Sequence, residues 1–286
     1  MHLFNNHVIP SLLFSLLGIV LFTSAVPVYN DNYCPNTATY QSSITFQSNL
    51  KILLSDLTSN ASQGRDGYYL TNIGLATINV ASGIFLCRGD VSSAICQECV
   101  AAAATEIERR CHNQTQSIIW YDECTLGYTN RYFNPVSIVP RVNLWDDKNI
   151  STSDLKSFNQ TLFSLLNSLA EEAASSQLAK KFATGETEFK GSSRQNRVYG
   201  LAQCAPSVTN DQCEECLQNA IGTLTMCCGG KQGARALLAW CNIRYDLYKF
   251  YYTTETSAAP PLVPSHPPPS GTFFNQYLGH HRYMLQ

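Results

Sequence analysis

A chain of 286 residues with a formal net charge of −2, its 19 Lys and Arg scattered without a basic run, lacks the electrostatic footprint of a nucleic-acid binder. The length suits two ordinary domains and is too short for an ectodomain joined to a kinase. Its 12 cysteines form an even count.

In chain order, residues 1–25 come first. An apolar run from Ser11 to Phe22 ends in the small residues Thr23-Ser24-Ala25, which reads as a signal peptide cleaved after Ala25. The run is short for a membrane span, so secretion rather than anchoring is expected. Oxidised cysteines and the glycosylation acceptors Asn60, Asn113, Asn149 and Asn159 suit that compartment. A first domain is expected over 30–134. Phe46, Leu50, Leu53, Leu54 and Leu57 recur at helical spacing. A β-rich stretch runs from Ala76 to Cys87, and a second helix begins near Ser92 or Ser93 and carries Cys96 and Cys99. Alternating segments at Ser117–Tyr121 and Thr125–Phe133 read as strands.

Residues 135–149, with Pro135 and Pro140, read as a linker. A second domain is expected over 150–252, with a helix at Leu155–Ala174, a strand at Arg197–Cys204, and a helix starting near Thr209 or Asn210. Strands at Ala234–Trp240 and Asn242–Tyr251 complete it. Residues 253–286 hold a run of prolines and read as an extended tail that cannot span a membrane.

The second domain repeats the first. Cys87, Cys96, Cys99, Cys111 and Cys124 reappear at one constant offset as Cys204, Cys213, Cys216, Cys228 and Cys241, preserving the spacing C-x8-C-x2-C-x11-C-x12-C. Glu98 with Glu215, Tyr128 with Tyr245, Phe133 with Phe250 and Phe46 with Phe163 follow the same offset. By that offset Cys34 maps to Ser151, while Cys227 stands as an extra cysteine beside Cys228. The expected fold class is α+β: a tandem pair of disulfide-stapled domains, each with two helices packed on an antiparallel sheet.

The duplicated C-x8-C-x2-C pattern, with Tyr199-Gly-Leu-Ala-Gln-Cys204, Cys227-Cys228-Gly-Gly-Lys-Gln-Gly-Ala-Arg235 and Cys241-Asn-Ile-Arg-Tyr245, resembles the plant Gnk2-homologous family, also called DUF26 or stress-antifungal domains. The likeness is strongest to cysteine-rich repeat secretory proteins and the ectodomains of cysteine-rich receptor-like kinases. It implies disulfides Cys87–Cys96, Cys99–Cys124, Cys34–Cys111, Cys204–Cys213 and Cys216–Cys241, and leaves Cys227 and Cys228 to pair with each other, stay reduced or bond elsewhere. It also implies secretion to the apoplast and a part in defence or stress response. Lectin-like members hold mannose through an Asn after the first cysteine, an Arg and a later acid. In the first copy those positions carry Pro35, Ile118 and Thr129; the second keeps Arg235 and Asp246, its candidate carbohydrate-binding residues.

Rival chemistry fares worse. Cys96/Cys99 and Cys213/Cys216 lie too far apart for a usual zinc site, so no metal or other cofactor is expected. Acidic spacers Gln97-Glu98 and Glu214-Glu215 oppose a reactive thiolate. G-x-S-x-G, P-loop, H-E-x-x-H and kinase motifs are missing, and His112 stands beside a cysteine expected to be bonded. The reading is therefore a non-enzymatic secreted recognition module, with a truncated receptor-kinase ectodomain as first alternative and a thiol–disulfide or redox-sensing protein as second. Its partners would be a cell-wall or microbial glycan or an extracellular receptor protein.

Overall fold

Helix α1 (Ile44–Asn60) starts where Ser43 accepts a hydrogen bond from the Phe46 amide, and it buries Phe46, Leu50, Leu53, Leu54 and Leu57 on one face. The computed structural model describes residues 26–35, 43–63, 66–75, 77–133, 141–175, 180–192 and 196–253. The expected leader, 1–25, and residues 254–286 of the expected tail lie outside them. Among the described residues, no helix is long and apolar enough to cross a membrane.

Around α1 the first domain places β1 (Tyr29–Tyr33), β2 (Tyr68–Ile73), β3 (Ala81–Cys87), α2 (Ser93–Arg110), β4 (Gln116–Tyr121) and β5 (Cys124–Thr129). The second contains β6 (Val142–Trp145), α3 (Leu155–Ser175), β7 (Lys181–Glu188), β8 (Arg197–Cys204), α4 (Asn210–Cys228), β9 (Ala234–Leu237) and β10 (Cys241–Asp246). Each domain has one antiparallel five-stranded sheet, in the order β1-β4-β5-β3-β2 and β6-β9-β10-β8-β7. Ser92 caps α2, and Thr209 with Gln212 forms a capping box on α4. The shared order of elements bears out the α+β tandem fold.

Several expected boundaries move. The stretch Ala76–Cys87 is strand only from Ala81, because a turn around Gly74 and Thr77 joins β2 to β3. The expected linker, 135–149, contributes β6, whose Val142 pairs with Leu237 and Trp145 with Ala234. Four residues of edge strand make too short an alternation to stand out beside two prolines.

The constant offset holds from β3 onward and fails before it. Phe46 packs on Tyr128 and Phe158 on Tyr245, with ring centroids 6.5 and 6.1 Å apart, so the counterpart of Phe46 is Phe158 and not Phe163. Likewise Tyr33 faces Ile118 where Leu144 faces Arg235. Cys34 therefore corresponds to Trp145, not Ser151, and Pro35 to Asp146. Loop lengths between the first helix and the third strand of each sheet absorb the difference.

Disulfides tie each second helix to its sheet. Cys87 and Cys124 are cross-strand partners at the ends of β3 and β5, and Cys96 and Cys99, one turn apart on α2, bond to them respectively. Cys204–Cys213 and Cys216–Cys241 repeat this in the second domain. Cys34–Cys111 ties β1 to the end of α2. In its counterpart Cys228 bonds its neighbour Cys227, since Trp145 stands where the distant partner would be.

Alternation along the strands sends Phe85, Ile119 and Leu126 toward α1 and α2, in one buried cluster. Ile84, Leu86, Ile118 and Trp120 leave the opposite face and join the buried cluster of the second domain. The two sheets thus pack face to face with helices outside. Trp120 donates its indole N–H to the Leu238 carbonyl at 3.1 Å, and Phe133 meets Trp240 edge-on at 5.6 Å. The amide of Tyr252 returns to Asp90 at 2.7 Å, so the chain after β10 straps the second domain to the first.

Candidate functional site

Arg235 on β9 and Arg244 on β10 are cross-strand partners. Like charges in that position repel, and the sequence supplies the remedy from the other domain. Asp122, in the turn between β4 and β5, accepts from Arg235 through Oδ1 and from Arg244 Nη1 through Oδ2 at 3.2 Å. Asn30 Oδ1 accepts a second bond from Arg235 at 2.8 Å. Arg244 Nη2 donates to Asp246 at 3.3 Å and to the Tyr248 hydroxyl at 2.9 Å, with Phe250 stacked 4.0 Å from the guanidinium. Arg88 grips Asp90 with two bonds, of 2.6 and 2.9 Å.

The electrostatics follow this wiring. Burial works to raise the Asp122 carboxyl, but Arg235 and Arg244 hold it below its ordinary value. Burial, then the charge of Arg244, lowers the Arg235 guanidinium despite Asp122. Asp246 is raised, first by burial and further by Asp146, against the opposing pull of Arg244.

The candidate residues Arg235 and Asp246 do not form the ion pair that a surface site would allow. Each has another partner, and they line different voids. Arg235, with Asp122, Gln203 and Arg244, lines a cavity of about 40 Å³ between the domains. Ligand pockets run to roughly 300–1,000 Å³, so this one is far too small for a sugar. Asp246 borders an open cleft of about 480 Å³ with Asp146, Asp147, Lys148, Gln232, Leu247 and Tyr248. Gly233 lies between its two carboxylates: a Cβ there would sit 2.9 Å from Asp146 Oδ2 and 3.0 Å from Asp246 Cγ. Tyr248 is 55% exposed, with the Arg244 guanidinium 5.8 Å from its ring centroid.

In the first copy, Ile118 is buried in the seam, on the strand position that Arg235 occupies in the second. Pro35 and Thr129 are half-buried. Asp146, the counterpart of Pro35, puts a carboxylate at the position where the constant offset had placed Thr152. Asp122 and Arg244 were missed by sequence reasoning. Their repeat counterparts are Ala239 and Gly127, and that asymmetry of charge was the available signal.

The remaining candidates are dispersed. Asn113 and Asn149 are exposed, Asn60 and Asn159 half-buried on helices. Asn113 adopts a left-handed φ of 60°, which Asn tolerates. His112 is exposed beside a disulfide-bonded Cys111. Among the described residues no cysteine is free, and the C-x-x-C sulfurs of both copies stand in disulfides.

Residues 33–131 and 146–248 match the family model described as salt stress response/antifungal. The chain is 38% identical over 274 residues to cysteine-rich receptor-like protein kinase 25 of Arabidopsis thaliana, a match that covers 90% of this chain but only 38% of the kinase. It is 35% identical to cysteine-rich repeat secretory protein 38 of the same plant, covering 75% of this chain and 82% of the relative. An antimicrobial ginkbilobin-2-like protein of Castanea crenata is 33% identical, with 86% and 98% covered. In fold, the chain is similar to the tandem DUF26 ectodomain of the Arabidopsis cysteine-rich receptor-like protein PDLP8, with TM-score 0.63, 22% identity, and coverage of 77% of this chain and 98% of that one.

Proposed function

The chain belongs to the salt stress response/antifungal family, and on that premise we propose that it is a non-enzymatic recognition module, secreted to the apoplast in defence or stress response. The observation that carries this reading is the open cleft beside β10. Asp146 and Asp147 offer acceptors and Lys148 and Gln232 donors for hydroxyl groups, and Tyr248 offers a ring for the apolar face of a sugar, while the buried Asp246 is held by Arg244 and the Leu247 amide. The partner is a cell-wall or microbial glycan. Arg235 serves the seam between the domains and not the sugar. With no arginine reaching the cleft, affinity is weak, about millimolar, or roughly 4 kcal/mol.

A glycan array on the secreted protein, followed by calorimetric titration of the best hit, tests this. Tyr248→Ala and Gln232→Ala should each weaken binding about tenfold, or roughly 1.4 kcal/mol. Unchanged affinity in both variants would place recognition elsewhere.

A second reading is supported by the kinase relatives: the chain spans 38% of the length of the receptor kinase quoted above. On that reading it acts as the ectodomain of a signalling receptor, and its partner is another extracellular receptor protein. An in-frame membrane helix and kinase in a longer transcript would favour it.

A further inference from the structure

Gln203 on β8 is the cross-strand partner of Asn242 on β10, and Arg244 follows two residues on, so the three side chains leave the sheet on the face turned to the first domain. Gln203 and Arg244 are 2% and 8% exposed. Gln203 Nε2 donates to the Cys87 carbonyl at 2.9 Å. That bond settles the amide's orientation, since turning it over would aim oxygen at oxygen. Its Oε1 is left without a partner. Arg244 spends both terminal nitrogens on Asp122, Asp246 and Tyr248, and its Nε has none.

Both side chains line the cavity between the domains. Leaving a buried polar atom without a partner is costly, and more so when the group is charged. Two such atoms bordering one void point to a shared occupant. The void is about 40 Å³, enough to admit water. Its two unmet needs are opposite: Oε1 lacks a donor and Nε lacks an acceptor. A cation would serve only the first and a halide only the second. Arg88, Arg235 and Arg244 are already matched by Asp90, Asp122 and Asp246, so no net charge calls for an ion.

We propose that this cavity is an ordered-water site bridging Gln203 Oε1 and Arg244 Nε, so that the polar end of the seam is wet while the end around Trp120 is dry. Crystals of the protein grown with bromide as the only halide test this, together with water–proton cross-relaxation spectra in solution. The expected result is solvent density within hydrogen-bond distance of both atoms, no anomalous bromide signal there, and a cross-peak between long-lived water and the Arg244 Nε proton. A bromide peak at that position, a void without density, or an Arg244 Nε proton lacking the water cross-peak would each overturn the proposal.

Discussion

Replacing Asp122 with alanine should weaken the whole molecule, because one carboxylate compensates two arginines. The side chains of Asp122, Arg235 and Arg244 are 19%, 20% and 9% exposed. The cost should therefore lie between about 0–1 kcal/mol for a surface pair and about 3–5 for a broken buried one. We expect about 2–3 kcal/mol, read as a fall of about 1 M in the urea midpoint. Arg235→Ala should cost less, since it leaves Asp122 with Arg244 and also removes the repulsion across the two strands. The double variant then reports the coupling directly. Because the Asp122 carboxyl is held below its ordinary value in the folded state, its contribution is present above the unfolded value of about 3.9 and is lost as pH falls through the folded one. The gap between the wild type and Asp122→Ala should accordingly close in acid. A loss for Asp122→Ala under about 0.5 kcal/mol, or one smaller than that for Arg235→Ala, would refute the clasp.

Trp120→Ala should cost about 3–5 kcal/mol and split a single unfolding transition into two, since Trp120 is fully buried and belongs to the second domain's cluster; calorimetry would show it. Replacing Cys227 and Cys228 by serine should cost only about 1 kcal/mol, against about 4–5 for Cys34 with Cys111, because loop closure contributes least for adjacent residues; chemical denaturation checks the ranking. Burial pushes the Tyr128 hydroxyl up to about 12. Stability from this group is complete below the unfolded value of about 10 and is lost as pH rises from there toward the folded value. Ultraviolet titration should show it ionising after the exposed tyrosines, and ionisation in step with them would contradict its burial.

What could be read from the residues alone depended on the strength of local pattern. Helices α1 to α4 were legible because each buries a stripe at helical spacing and three have Ser or Thr caps. The edge strands were not. β2 is half-buried along its whole length and β7 carries Gly185, so neither shows clean alternation. The seam left a trace that went unread: the unbroken apolar runs Ile84-Phe85-Leu86 in β3 and Ile118-Ile119-Trp120 in β4 mark strands covered on both faces, and the structure buries them so. The candidates Arg235 and Asp246 were legible as polar, but their partners were not, because strand register and the opposite domain decide what an arginine meets.

Face-to-face packing of the sheets has a geometric consequence for any large partner. With one face of each sheet turned to the other domain and the opposite face covered by helices, the broad surfaces left to a large partner, apart from the sheet edges and the cleft beside β10, are two helical coats, α1 with α2 and α3 with α4, on opposite sides of the seam. A macromolecule docked on one coat leaves the other reachable, and the strap at Tyr252 and the clasp at Asp122 hold the two poles at a set separation. Repeats joined this way lend themselves to bridging two bodies more readily than to gripping one twice. Nor can either half stand in for the pair, since a lone first domain would bare Ile84, Leu86, Ile118 and Trp120 as a single apolar plate.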